Sequence, residues 1–142
     1  MSKIAVVRVR GNVNLKHEVK ETFKLLRLYR KNFCIVVENS PSIMGMIKKV
    51  KDYVTYGEID DATYKEIVEK RGEEYKGREK DRKGKIDYKK FISVEGKKIK
   101  PFFRLSPPKK GFGRKGIKVS FKVHGALGYR ADKINDLIKR MI

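Results

Sequence analysis

Three short apolar runs, separated by two stretches with helical periodicity, constrain the fold of this chain more than any other feature. The runs occupy residues 4–9, 33–37 and 53–59, and β-branched or aromatic side chains dominate each of them. Runs of this length and composition, bounded by residues that favour turns, are typical of β-strands. The sequence therefore predicts three strands within the first 59 residues.

Two amphipathic helices are predicted between these strands, over residues 14–28 and from residues 39–42 to residue 51. The apolar residues that recur at helical spacing are Leu15, Val19, Phe23 and Leu26 in the first helix and Ile43, Ile47 and Val50 in the second. This spacing places each set on one helical face. The order βαβαβ, with amphipathic helices, predicts an α+β core over residues 1–59, in which a three-stranded sheet carries both helices on one side.

Residues 60–142 are expected to form a basic extension of that core. A helix over residues 60–71, begun by Asp60 or Asp61, is followed by a charge-dense insertion over residues 72–100, in which a hairpin is expected at 86–99. A basic loop rich in glycine and proline covers residues 101–128. The C-terminal helix over residues 131–142 is expected to start at Asp132 and to bury its apolar stripe on the first unit.

The charge of the chain indicates a polyanionic partner. Thirty-seven lysine and arginine residues face seventeen aspartate and glutamate residues, which gives a formal net charge of +20. No acidic residue lies between Gly96 and Ala131, against eleven basic ones, whereas a solvated surface normally mixes both signs. Because the chain has no long apolar run, signal peptide or lipidation motif, nucleic acid is favoured over a membrane surface.

Two surfaces are candidates for contacting nucleic acid. The first is the basic, glycine-rich loop, in which Phe112 either stacks on an unpaired base or anchors the loop to the protein. The second lies on the first unit and includes the start of the second helix, where free backbone N–H groups can receive a phosphate; simple capping and solvation is the alternative. The candidate residues are Arg10, Asn12, Lys16, Ser40, Ser42, Met44, Gly45, Lys48, Lys49, Arg104, Lys109, Lys110, Gly111, Phe112, Arg114, Lys115, Lys118, Lys122, His124 and Arg130.

Support for catalysis or a cofactor is weak in this sequence. Cys34 lies in an apolar run, where a buried thiol is the usual outcome, and neither histidine has partners at metal-ligand spacing. The acidic residues Glu58, Asp60 and Asp61 would suit a magnesium-dependent nuclease, but they also suit the start of a helix. We therefore expect a protein without enzymatic activity, metal, cofactor or small-molecule substrate.

Two blocks of sequence resemble a known family. Residues 36–47 (VVENSPSIMGMI) with residues 50–54 (VKDYV), and residues 103–111 (FRLSPPKKG) with residues 125–128 (GALG) and 134–141 (INDLIKRM), are similar to the universal ribosomal protein L thirty family. The second block resembles its archaeal and eukaryotic branch, and the absence of a long basic N-terminal extension resembles archaeal members.

The resemblance implies a fold, a partner and a location. It implies a ferredoxin-like core with a C-terminal extension, and a non-catalytic protein of the cytoplasmic ribosome that binds large-subunit ribosomal RNA beside neighbouring ribosomal proteins. A DNA-binding chromatin-type protein and, with less support, the magnesium-dependent nuclease remain the alternatives.

Overall fold

The computed structural model describes residues 3–77, 82–85, 91–94 and 96–142 and confirms the α+β class. The α-helices and β-strands are β1 (Lys3–Arg8), α1 (His17–Leu26), β2 (Phe33–Glu38), α2 (Pro41–Lys49), β3 (Val54–Glu58), α3 (Asp61–Arg71), β4 (Ile92–Val94), β5 (Lys97–Ile99), β6 (Phe103–Arg104), β7 (Gly128–Tyr129) and α4 (Ile134–Met141). The first helix is shorter than the expected 14–28: it begins at His17, and it ends at Leu26 because Arg27 adopts a left-handed φ of 64°.

The main sheet has the strand order β6-β2-β1-β3-β7. Its centre consists of the three predicted strands, and β1 runs antiparallel to both of its neighbours. The expectation of three strands was incomplete, since β6 pairs with β2 and β7 pairs with β3 at the two edges. These edge strands contain two residues each, which is too short for any periodicity in the sequence.

Strand β1 is buried on both of its faces. Ile4 and Val6 point to one side of the sheet and Ala5 and Val7 to the other, as the alternation of side chains along a strand requires. The first side is covered by α1 and α2, whose Phe23, Leu26 and Ile47 complete that core. The prediction that both of these helices lie on one side of the sheet is confirmed.

Helices α3 and α4 cover the second side of the sheet. The buried residues that they contribute are Ile67 from α3 and Ile134, Leu137, Ile138 and Met141 from α4. The expected burial of the C-terminal stripe on the first unit is therefore confirmed. Its expected N-cap is wrong, because Asp132 lies within a 3₁₀ turn over Ala131–Lys133 and its side chain caps no helix. The Asn135 side chain instead accepts a hydrogen bond from the backbone N–H of Asp60 and donates to the Glu58 carbonyl.

Strands β4 and β5 form an antiparallel hairpin in the second half of the chain, with Ile92 opposite Ile99. It falls within the predicted hairpin at 86–99, of which residues 86–90 and Glu95 lie outside the described residues. The division into a core over 1–59 and an extension over 60–142 stays a prediction.

Asp60 is the N-cap of α3, and its removal should destabilise the protein. Its carboxylate accepts a hydrogen bond of 2.7 Å from the Thr63 N–H, and hydrogen bonding from Thr63 lowers the pKa of Asp60 below its ordinary value of 3.8. We expect Asp60→Ala to lower the free energy of unfolding by about 1 kcal/mol at pH 7 in urea titrations. Asp61→Ala, in the first turn of the same helix, is the control and should cost about 0.5 kcal/mol or less.

The difference between the wild type and Asp60→Ala should depend on pH. Because folding lowers the pKa of this carboxyl, its contribution is fully present above 3.8 and is lost as the pH falls through the folded pKa. Equal stabilities of the wild type and the variant at pH 7 would contradict the capping role.

Candidate nucleic-acid interface

Segments from both halves of the chain meet at the end of the sheet where β1 finishes. The N–H groups of Val9 and Arg10 donate to the Tyr53 carbonyl, at 2.9 and 3.2 Å, which joins the loop after β1 to the turn before β3. Val9 also packs against Ala126 and Leu127, just before β7. We call this region the basic end of the sheet, because the loop over residues 109–124 lies beside it; that segment is called the basic loop below.

The basic loop turns its cations outward. Its exposed cationic residues are Lys109, Lys110, Arg114, Lys115, Lys118 and Lys122. The loop is folded on itself, since the Lys115 N–H donates to the His124 carbonyl at 3.0 Å. Lys110, Gly111 and His124 have positive φ values of 67°, 76° and 69°, which make the tight turns. The positive charges of the loop thus face solvent, while the His124 carbonyl accepts a hydrogen bond within the loop.

Arg130 holds the basic loop from inside the protein. Its side chain is 4% exposed and donates to the Phe112 carbonyl at 2.7 Å, the Ala126 carbonyl at 3.0 Å and the Thr55 hydroxyl at 2.7 Å. The guanidinium also lies 4.6 Å from the centre of the Phe121 ring. Burial lowers the pKa of Arg130 to about 10, so the group stays charged at neutral pH. The sequence proposed Arg130 as an RNA contact, whereas the structure turns it away from the surface.

Two further arginines hold loops by donating to backbone carbonyls. Arg140, in the last turn of α4, donates to the carbonyls of Lys109 and Gly111 at 2.8 and 2.6 Å. Arg8 is 1% exposed and donates to the Leu28 carbonyl at 2.7 Å and to the side chain of Asn12. Sequence reasoning missed both. The position of Arg8 inside an apolar strand was the one available signal, because a buried arginine needs several acceptors.

The proposed residues of the first unit divide between the two ends of the sheet. Ser40 follows Glu38, which pairs with Lys3 at the start of β1, whereas Lys49 precedes Val54, which pairs with Arg8 at its end. These ends are about 17 Å apart at the usual rise of a strand. Ser40 and Ser42 therefore lie at the end opposite the basic loop, Met44 and Gly45 lie along α2, and Arg10, Asn12, Lys48 and Lys49 lie towards the basic end. Lys16 immediately precedes α1.

Several of these residues have structural contacts of their own. Ser40 caps α2 by accepting a hydrogen bond from the Ile43 N–H, and Met44 packs against the core under α1 and α2. Arg10 lies over the Tyr53 ring, with 4.9 Å between the guanidinium carbon and the ring centre. The alternative of capping and core packing thus accounts for part of this set, while Lys16, Ser42, Lys48 and Lys49 are exposed.

Arg104 and Phe112 also contact the protein itself. Arg104 forms a hydrogen bond of 2.6 Å and an ion pair with Glu73, which also pairs with Lys100 at 3.1 Å. Partial burial opposes ionisation of Glu73, but the hydrogen bonds from both cations hold its pKa below the usual range. Phe112 is half-buried and packs against the cluster formed by Val9, Ala126 and Leu127. Its role as an anchor of the loop is thereby supported by direct contacts.

Two of the three acidic residues that suggested a nuclease have structural contacts. Glu58 accepts a hydrogen bond of 2.6 Å from the Tyr129 hydroxyl, which raises the pKa of Tyr129, and Asp60 caps α3. Among the described residues, no three histidine, cysteine, aspartate or glutamate side chains are grouped so that they could hold a metal ion. Burial raises the pKa of the Cys34 thiol to about 12. Within the same residues, no helix has the length and apolar character needed to cross a membrane.

A family comparison matches the first part of the chain. Residues 4–54, which contain β1, α1, β2 and α2, match the family described as Ribosomal protein L30p/L7e. The match covers the strands and helices that position Arg10, Lys48 and Lys49.

Curated relatives match nearly the whole chain. The large ribosomal subunit protein uL30 of Nanoarchaeum equitans is 47% identical over the full length of both chains. The uL30 protein of Methanococcus vannielii is 44% identical over 97% of this chain and 98% of its own length. The uL30 protein of Methanopyrus kandleri is 39% identical over 94% of this chain and all of its own length. This chain belongs to the uL30 family of large-subunit ribosomal proteins, and the resemblance to its archaeal members is confirmed.

Proposed function

We propose that this protein is a structural constituent of the large ribosomal subunit and binds folded ribosomal RNA through phosphate contacts from the basic loop. The observation that carries the proposal is that the cations of the loop face solvent while several of its backbone carbonyls are bonded within the protein. Six cations face solvent, while the Phe112 carbonyl is bonded by the buried Arg130 and the carbonyls of Lys109 and Gly111 are bonded by Arg140. Such a loop presents positive charge in a fixed arrangement, which suits recognition of the shape of folded RNA rather than its sequence.

The cations at the end of β1 extend this surface beyond the loop. Arg10, Lys16, Lys48 and Lys49 come from the first unit; the three lysines are exposed and Arg10 is partly exposed, which makes them available for further phosphate contacts. A net charge of +20 also favours a polyanionic partner, because such a partner relieves the repulsion within a compact chain of that charge. Membership of the uL30 family supports ribosomal RNA as that polyanion, with neighbouring ribosomal proteins as further partners and the cytoplasmic ribosome as the location. The role is non-catalytic and needs no cofactor.

Neutralising the basic loop tests the proposal. We expect the fourfold variant with Lys109, Lys110, Arg114 and Lys115 replaced by glutamine to bind a large-subunit RNA fragment about 100-fold more weakly at 0.1 M salt. The slope of log affinity against log salt should fall by about 3, since each lost phosphate contact removes a share of counterion release. Fluorescence anisotropy over a salt series measures both quantities.

The matched control neutralises four exposed lysines elsewhere, namely Lys20, Lys24, Lys65 and Lys97. This variant loses the same charge, so a similar loss of affinity would show that the total charge acts rather than the basic loop. An unchanged salt slope in the basic-loop variant would refute the assignment. Equal affinity of the wild type for duplex DNA and for ribosomal RNA fragments would favour a chromatin-type function instead.

A further inference from the structure

A cleft of about 640 Å³ opens between the basic loop and the turn that leads into α4. Three segments line it: residues 112–114, residues 121, 122, 124 and 125, and residues 129–133. Its size lies within the range of about 300–1,000 Å³ that small-ligand sites occupy, which is sufficient for one nucleotide. We propose that this cleft receives a single unstacked nucleotide of the bound RNA; the inference rests on the function proposed above.

Aromatic rings are among the residues that line the cleft. Phe121 is half-buried there, and Tyr129 is 44% exposed. Both rings are held in place, Phe121 by the guanidinium of Arg130 and Tyr129 by the Glu58 carboxylate and by the Tyr56 ring, whose centre is 5.5 Å away. A base that stacks on rings already fixed in position loses little further freedom on the protein side. Bases inside a duplex have their faces covered, so an unpaired base is the species that fits.

Cations surround the mouth of the cleft. Arg114, Lys122 and Lys133 are exposed lining residues, and Asp132 is the acidic residue among the lining set. This excess of positive charge suits the phosphates on either side of an extruded base. Arg130 is already occupied by its hydrogen bonds to carbonyls, so its part is to position Phe121 rather than to neutralise phosphate.

Close backbone packing holds together two of the segments that line the cleft. A Cβ atom at Gly125 would lie 2.1 Å from the Val119 carbonyl oxygen, and one at Gly113 would lie 2.5 Å from the Gly125 carbonyl oxygen. A side chain at either position would force the two segments apart. The glycines therefore keep the loop close enough to the Phe121 turn to form a cleft with a defined width.

Because the chain contains no tryptophan, F121W provides a single fluorescent reporter inside the cleft. The probes are a single-stranded oligoribonucleotide of about eight residues, the same strand with abasic positions, and a duplex RNA of equal length. We expect the single strand to quench the fluorescence of F121W, and the abasic strand and the duplex to leave it largely unchanged. Equal quenching by the abasic strand would overturn the inference, since phosphates alone would then account for the signal.

A second variant tests the energetic contribution of the ring. We expect F121L to bind the single strand about tenfold more weakly than the wild type, with the same salt slope because no charge is removed. Tyr29→Leu, which alters an exposed aromatic residue outside the cleft, should leave the affinity unchanged. If F121L binds like the wild type, the cleft inference fails while the proposed function stands. If the wild type binds no large-subunit RNA at all, the proposed function itself fails.

Discussion

Replacing Leu137 and Ile138 together by alanine should lower the free energy of unfolding by about 5 kcal/mol, which approaches the whole stability of many proteins of this size. Both side chains are fully buried in the core between α4 and the second face of the sheet. Their removal leaves cavities in the core that also contains Ala5 and Val7, where the rigid sheet cannot move in to fill the space. Urea unfolding followed by circular dichroism measures the loss.

Lys139→Ala is the matched control for this double variant. Lys139 lies in the same helix but is exposed, so its replacement should change the free energy of unfolding by less than about 0.5 kcal/mol. A loss below about 2 kcal/mol in the double variant would show that α4 contributes little to the sheet core. A second, more stable unfolding transition would show that residues 1–59 fold as a unit of their own, which is the division that the sequence predicts.

The elements of the first 59 residues were predictable because their signal is local. The spacing of Phe23 and Leu26 along α1 records the side of the helix that is buried, and no distant residue has to be known. The continuous apolar run in β1 was also consistent with burial on both faces of the sheet, but it did not indicate which helices pack against the second face. Edge strands β6 and β7 were missed because they depend on pairing partners roughly seventy residues away in sequence.

The arrangement of the candidate interface was less predictable, for two physical reasons. The first is strand direction: the antiparallel pairing of β1 and β2 sends the start of α2 to the end opposite Arg10, and no pattern in α2 reveals this. The second reason is that the groups which accept hydrogen bonds from the buried or partly buried arginines are backbone carbonyls. Arg8, Arg130 and Arg140 bind backbone carbonyls, which every residue has, so the sequence cannot distinguish these arginines from those that face RNA.

Arg130→Met should lower the free energy of unfolding by about 3 kcal/mol, because it removes the buried donors for the carbonyls of Phe112 and Ala126. Methionine fills a similar volume, so the lost hydrogen bonds dominate over packing. Arg130→Lys should recover little of the loss, since one ammonium group cannot donate to two carbonyls and the Thr55 hydroxyl in the geometry of a guanidinium. Urea unfolding compares the three proteins, with Arg114→Met as the control in an exposed position of the same loop.

Hydrogen exchange separates a local effect of Arg130 from a global one. The Lys115 N–H is bonded to the His124 carbonyl across the basic loop, whereas the Val6 N–H lies in the central strand. In Arg130→Met the Lys115 amide should lose at least about tenfold more protection than the Val6 amide loses through the lower global stability, because the loop is then open in the folded protein. Parallel loss of protection at both amides would contradict this. It would show that Arg130 stabilises the whole fold, and that it has no special role in holding the basic loop and its cations in position.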